Sequence, residues 1–154
     1  MSEPIKATGL CIKTGMRSIF SDVPKVLKKY MYYKDKYGVK NQKMPWEYVS
    51  LSKNFKENQT WDYYTGHVVT AVENIQEEFV SFESPAGKYA VFPIRSKNKL
   101  LLGLTIGKTK KYIYNVWLPK SKYIFADCEF EYNNEKMFKE SPNYIDLYVA
   151  IKQK

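Results

Sequence analysis

The sequence predicts an α+β fold: an antiparallel sheet made from a duplicated β-α-β-β unit, with two helices on one side and a ligand cleft on the other. Three observations predict it. Each half of the chain reads strand, helix, strand, strand. The helical stretches carry apolar faces suited to one sheet. The closing strand alternates strictly, with Ile145, Leu147, Val149 and Ile151 on one face and Asp146, Tyr148 and Ala150 on the other. At 154 residues the chain reads as one domain, 1–154, with pseudo-repeats about 1–74 and 75–154. The duplication rests on the order of elements, since the halves share no sequence identity worth calling a repeat.

The first strand covers residues 4–13, apolar at alternate places around Ile5, Ala7, Gly9 and Cys11. Ser21 or Asp22 is the expected cap of the first helix, with Pro24 in its first turn, where a missing N–H does no harm. Val26, Leu27, Tyr30 and Met31 form the expected buried stripe, and Lys25, Lys28, Lys29 and Lys34 the wet face. A polar loop opens at Tyr37-Gly38-Val39 and ends near Pro45-Trp46. Strands follow at about 47–51 and 61–72, separated by a polar turn at 53–59. In the second half, residues 79–82 and 88–95 are strand-like around the Pro85-Ala86-Gly87 turn. The leucine run at 100–104 leads into a helix expected from about 105 to 118, with Ile106, Ile113, Val116 and Trp117 on one face and Pro119 as its stop. Two strands joined by a loop from Asn133 to Asn143 close the chain.

Composition narrows the function. The 25 Lys and Arg outweigh 16 Asp and Glu, for a formal charge of +9. The lysines, Lys108, Lys110 and Lys111 among them, are dispersed along the chain and read mostly as solvated helix faces, and Arg17 and Arg95 are the arginines. Arginine dominates specific base contacts, and no DNA- or RNA-reading motif is present, so no direct nucleic-acid binding is expected. Cys11, Cys128 and His67 offer no metal-ligand spacing, and neither metal nor cofactor is expected. No stretch approaches the ~20 apolar residues of a membrane span, and the N-terminus lacks signal-peptide features. A cytoplasmic protein with reduced thiols, monomer or weak dimer, is the expectation. Tyrosine (14) outnumbers leucine, which fits either an aromatic-lined wet surface or strands filled with a good strand former.

Two carboxylates stand out, Glu131 and Asp146, each in a strand crowded with aromatic side chains. A carboxylate is rarely buried without a partner, and an acid among aromatic rings suits a flat organic cation. A monocation ~4 Å from a carboxylate gains about 4 kcal/mol at an effective dielectric near 20. Each ring facing the charge adds about 0.5–2 kcal/mol. Read from the strand pattern alone, Glu131 is a pocket acid, a general acid or base, or a rim carboxylate paired with lysine. Regular alternation puts Asp127 and Glu129 in a row with Glu131, where the first two read as a solvated edge, and His67 reads as a histidine packed on a strand.

The chain resembles the GyrI-like small-molecule-binding family, which includes effector domains of AraC- and MerR-type regulators. The resemblance rests on Val-Pro-Lys-Val-Leu (23–27), Tyr-Tyr-Thr-Gly (63–66), Pro-Ala-Gly-Lys-Tyr-Ala-Val-Phe (85–92), Val-Trp-Leu-Pro-Lys-Ser-Lys-Tyr (116–123), Phe-Glu-Tyr (130–132) and Asp-Leu-Tyr-Val-Ala-Ile-Lys (146–152). It implies a duplicated βαββ unit with a ligand cleft between the halves. It implies Glu131 as the pocket acid and Asp146 as a second acid, where glutamate is more usual. Asn133 occupies a place that is usually aromatic. Tyr64, Phe92, Tyr112, Trp117 and Tyr148 are the candidate ring contacts, with Tyr63 competing with Tyr64. The function implied is a stand-alone module that binds hydrophobic aromatic, often cationic compounds for sensing or sequestration. Two alternatives come with the resemblance: a hydrolase of strained electrophiles using Glu131 as general base with Tyr148 or Trp117, and a protein-interaction module of the topoisomerase-inhibitor kind.

Overall fold

The computed structural model describes residues 3–133 and 143–154. They form β1 (Lys6–Gly15), α1 (Ile19–Tyr37), β2 (Tyr48–Lys53), β3 (Thr60–Val68), β4 (Val80–Glu83), β5 (Lys88–Arg95), α2 (Lys99–Tyr112), a π-helical turn (Ile113–Trp117), α3 (Leu118–Lys120), β6 (Tyr123–Asn133) and β7 (Tyr144–Gln153). All seven strands pair antiparallel in one sheet, in the order β4-β1-β3-β2-β6-β7-β5. The triplets β1-β3-β2 and β6-β7-β5 meet along β2 and β6, and β4 is added outside β1. The expected α+β sheet is the observed one.

Register carries one row of residues across the sheet: Leu10, Thr65, Ser50, Glu131, Leu147 and Phe92 are successive partners. Directly paired residues share a face. At one end of that face, Val26 and Tyr30 of α1 pack with Leu10, Trp61, Tyr63 and Phe79. At the other, Leu102, Ile113 and Leu118 pack with Ile94, Leu147, Val149 and Ile151. Both helices therefore lie on the same side. Between their footprints the central strands present Ser50, Ser52, Glu129 and Glu131. The far face buries Val49, Leu51, Val68, Phe82, Cys128, Phe130 and Ala150, bordered by Tyr64, Tyr89, Tyr132 and Tyr148.

Several local expectations are corrected. Helix α1 starts at Ile19 with Ser18 at its cap position, so Pro24 lies inside the helix rather than in its first turn. Asp22 instead accepts the Thr14 hydroxyl at 3.0 Å, tying the helix to β1. Met31 is exposed, and Val23 and Tyr33 border the stripe in its place. The leucine run is itself the first turn of α2, because Asn98 Oδ1 accepts the Leu101 N–H at 2.8 Å and caps the helix there. Pro119 does not end the helical run. It sits within α3, just after a π turn that widens the backbone ahead of its ring.

Strand β6 carries a bulge between Phe125 and Glu129, with Asp127 at φ 58°. Its Oδ1 accepts the Phe55 N–H at 2.9 Å, so Asp127 belongs to a loop anchor rather than to a row with Glu129 and Glu131. Where β1 and β3 cross, Gly9 stands opposite Gly66. A Cβ on Gly9 would fall 1.8 Å from the Thr65 carbonyl oxygen, and one on Gly66 2.1 Å from that of Thr8. Only hydrogen fits at either place. Among the described residues no helix is long and apolar enough to cross a membrane.

Candidate functional site

The trough between the helices is built on small polar side chains. Ser50, Ser52 and Thr65 are buried on the helix-bearing face. Tyr48 and Ser50 both hydrogen-bond the Thr65 hydroxyl, Ser50 at 3.1 Å. These short side chains leave the middle of the face unfilled by apolar groups, while the two ends are packed by helices. Into that middle β6 projects Glu129 and Glu131, two residues apart and therefore on one side of the strand.

Lys110 reaches both acids from the last turn of α2. Its Nζ lies 2.9 Å from Glu129 Oε1 and 3.3 Å from Glu131 Oε1. Burial would lower the Lys110 pKa, but the two carboxylates outweigh it and raise it, so the ammonium stays charged. Tyr114, one turn along, donates its hydroxyl to Glu129 Oε2. Burial first, and then Glu129, raise the Tyr114 pKa and keep it a donor. Glu129 is thus held from two sides with its side chain 8% exposed, whereas that of Glu131 is 30% exposed. Two carboxylates and one ammonium leave one net negative charge.

Tyrosines flank the pair. Burial pushes the Tyr48 hydroxyl up to about 12, against the lowering effect of its hydrogen bonds with Thr65 and Ser50 and with a smaller rise from Glu131. Burial and then Glu131 raise Tyr63 as well. Both hydroxyls therefore stay neutral around the acids. Phe125 packs edge-on against Tyr114 and Phe55, extending the aromatic surface.

The sequence-derived candidates divide between the two faces of the sheet. Glu131 is in the trough, on the helix-bearing side of the sheet rather than on the opposite side where the cleft was expected. Phe92 and Trp117 are on the same face but pack on each other within the α2 core, rings 5.3 Å apart and perpendicular. Tyr112 is exposed on α2. Tyr63 points to the helices, and Tyr64 to the far face, its ring 5.1 Å from that of Phe82. Asp146 and Tyr148 are also on the far face. Tyr148 stacks on Phe130 at 4.6 Å, and Asp146 Oδ1 accepts the Tyr144 hydroxyl at 2.9 Å. No single cleft gathers Glu131 with Asp146.

Sequence reasoning passed over Glu129, Lys110, Tyr114 and the serines. Lys110 lay among dispersed lysines that read as solvated. The legible signal was Lys110 and Tyr114 four apart, facing acids two apart on a strand. Two cavities lie elsewhere: about 210 Å³ beside Lys13, Trp61 and Asp62, and about 370 Å³ between the Pro85-Ala86-Gly87 turn, Tyr89, Ala126 and Ala150. Neither is lined by Glu129 or Glu131.

The fold and the trough define a class: a one-sheet α+β module with paired carboxylates set between two helices. The family model for integron-associated effector binding proteins (Cass2) matches residues 7–151, and the chain belongs to that family. Solved structures share the fold. An integron cassette protein from the mobile metagenome of Vibrio cholerae is 13% identical, with TM-score 0.67, over 97% of this chain and 92% of that one. The protein SAV2435, solved bound to tetraphenylphosphonium, is 10% identical, with TM-score 0.71, over 97% and 89%. A putative transcription regulation protein from Staphylococcus aureus is 11% identical, with TM-score 0.67, over 97% and 93%. No curated protein matches the sequence at a significant level.

Proposed function

We propose that the protein binds hydrophobic aromatic molecules bearing one positive charge, in a sensing or sequestering role. Glu131 supplies the counter-charge, and Tyr48, Tyr63 and Tyr114 supply the surrounding surface. The observation that carries this reading is the pairing of Glu129 and Glu131 around Lys110, the one cation that forms ion pairs with them among the described residues, which leaves one negative charge in excess in a tyrosine-lined trough. Membership of an effector-binding family supports it. So does the shared fold with a protein solved in complex with tetraphenylphosphonium, itself an aromatic monocation. In this proposal Asp146, Tyr148 and Tyr64 serve the packing of the far face. Broad selectivity follows, because ring stacking tolerates many ring systems while one charge fixes orientation.

Titration with rhodamine 6G, followed by product analysis of the same mixture, tests the proposal. Saturable binding near ~1 µM, about −8 kcal/mol, is expected with the dye unchanged. Glu131→Gln weakens that binding by about 1–3 kcal/mol, the scale of a lost charge-assisted contact. A neutral aromatic ligand binds both proteins alike. Unaltered rhodamine affinity in Glu131→Gln removes Glu131 from the site, and dye turnover favours the hydrolase alternative.

A further inference from the structure

The two acids of the trough are not equivalent, and Lys110 makes the difference. Its contact with Glu129 is the shorter, 2.9 Å against 3.3 Å, and Glu129 is also the acid that Tyr114 holds. Among the described residues, Lys110 alone forms ion pairs with these two carboxylates. Lys108 and Lys111, its neighbours on α2, are exposed. Lys53, across the sheet, lies over the Tyr64 ring on the far face. The trough therefore carries its own resident cation, anchored at one acid and reaching to the other.

We propose that Lys110 sets the charge class of the ligand: it stays on Glu129, yields Glu131 to an incoming monocation, and repels a second positive charge. This rests on the trough being the ligand site. With Lys110 present the acids offer one negative charge, which a monocation neutralises and a dication overshoots. Without it they offer two, in surroundings where burial strengthens charge–charge contacts. Lys110 also competes with any ligand for Glu131, so it lowers the affinity of the cations it admits.

Ethidium and propidium isolate this effect, because they share a phenanthridinium ring and propidium adds a quaternary ammonium. Fluorescence titrations of the full chain compare the wild type with Lys110→Met, Lys110→Arg and Glu131→Gln. The wild type should prefer ethidium by about tenfold, and Lys110→Met should bind ethidium about tenfold tighter and propidium as well as ethidium. Lys110→Arg, which keeps the charge, should retain the wild-type preference. A folded Lys110→Met with unchanged or weaker ethidium affinity overturns the role of Lys110. So does a wild type that binds propidium as tightly as ethidium, a result needing no variant. If ethidium binding is absent, or unmoved by Glu131→Gln, the ligand-site reading falls and this proposal with it. If Glu131→Gln weakens ethidium while Lys110→Met changes nothing, only the Lys110 role is lost.

Discussion

Glu131 stands directly opposite Leu147 in the β6–β7 ladder, and that pairing commits its carboxylate to the helix-bearing face. The next pair, Phe130 and Tyr148, points the other way, their rings stacked 8° from parallel. An acid and an aromatic stack in adjacent pairs of one ladder thus serve different surfaces.

That separation predicts independent effects. Tyr148→Ala removes the Phe130 stack and contacts to Tyr89 and Tyr132, and should cost about 2–3 kcal/mol of stability. Its affinity for rhodamine 6G should match the wild type. Urea unfolding and dye titration on the same preparation check both halves. A stable Tyr148→Ala that no longer binds would move the site to the far face.

Glu129 should behave as a structural acid. Glu129→Gln takes from Lys110 its nearest carboxylate and from Tyr114 a charged acceptor, an expected loss of about 2–3 kcal/mol. Tyr114→Phe should lose about 1 kcal/mol. The double variant should lose less than the sum, since both act on one network. Additive losses in chemical unfolding would show that the contacts are uncoupled.

His67 makes stability depend on pH. The Tyr30 hydroxyl lies 2.5 Å from its Nδ1 and accepts its backbone N–H at 3.1 Å, fastening α1 to β3. Burial first, and then Lys34, lower the His67 pKa from 6.5 to about 4. Below pH 6.5 the unfolded chain takes up a proton that the folded one refuses until about pH 4. Stability fully present above 6.5 therefore drains as pH falls through that window, by up to about 3 kcal/mol. Urea midpoints at pH 7, 5.5 and 4.5 should fall more steeply for the wild type than for His67→Gln. Parallel slopes would exclude His67 as the source.

The Gly9–Gly66 crossing predicts an intolerant position. Gly66→Ala places a methyl group against the Thr8 carbonyl, with backbone on both sides unable to yield, and should cost about 3 kcal/mol or more. Gly103→Ala on the open side of α2 should be neutral or stabilising by up to about 1 kcal/mol. Thermal unfolding of the two variants gives the contrast, and equal shifts would contradict the close approach.

The fold was legible because strand alternation is strict: the faces of Ile145 to Ile151 follow from sequence alone. The start of α2 was not, since a leucine run without polar spacing shows no helical face and reads only as a lead-in until Asn98 is seen as its cap. The division of the site was hidden for a different reason. Alternation gives faces within one strand, but only the register between β6 and β7 decides whether Glu131 and Asp146 share one. The β6 bulge, set by Asp127 in left-handed geometry, lies between the aromatic and acidic parts of that strand and is invisible to a period of two. Lys110 was hidden because a lysine on a helix is ordinarily solvated, and only its distance to Glu129 distinguishes it.

A structure of the protein with tetraphenylphosphonium bound would locate the ligand directly. The predicted result places the cation between α1 and α2, about 4–6 Å from the Glu131 carboxylate, with Lys110 withdrawn onto Glu129. A cation seated instead on the far face, against Asp146 and Tyr148, would contradict the assignment of the site.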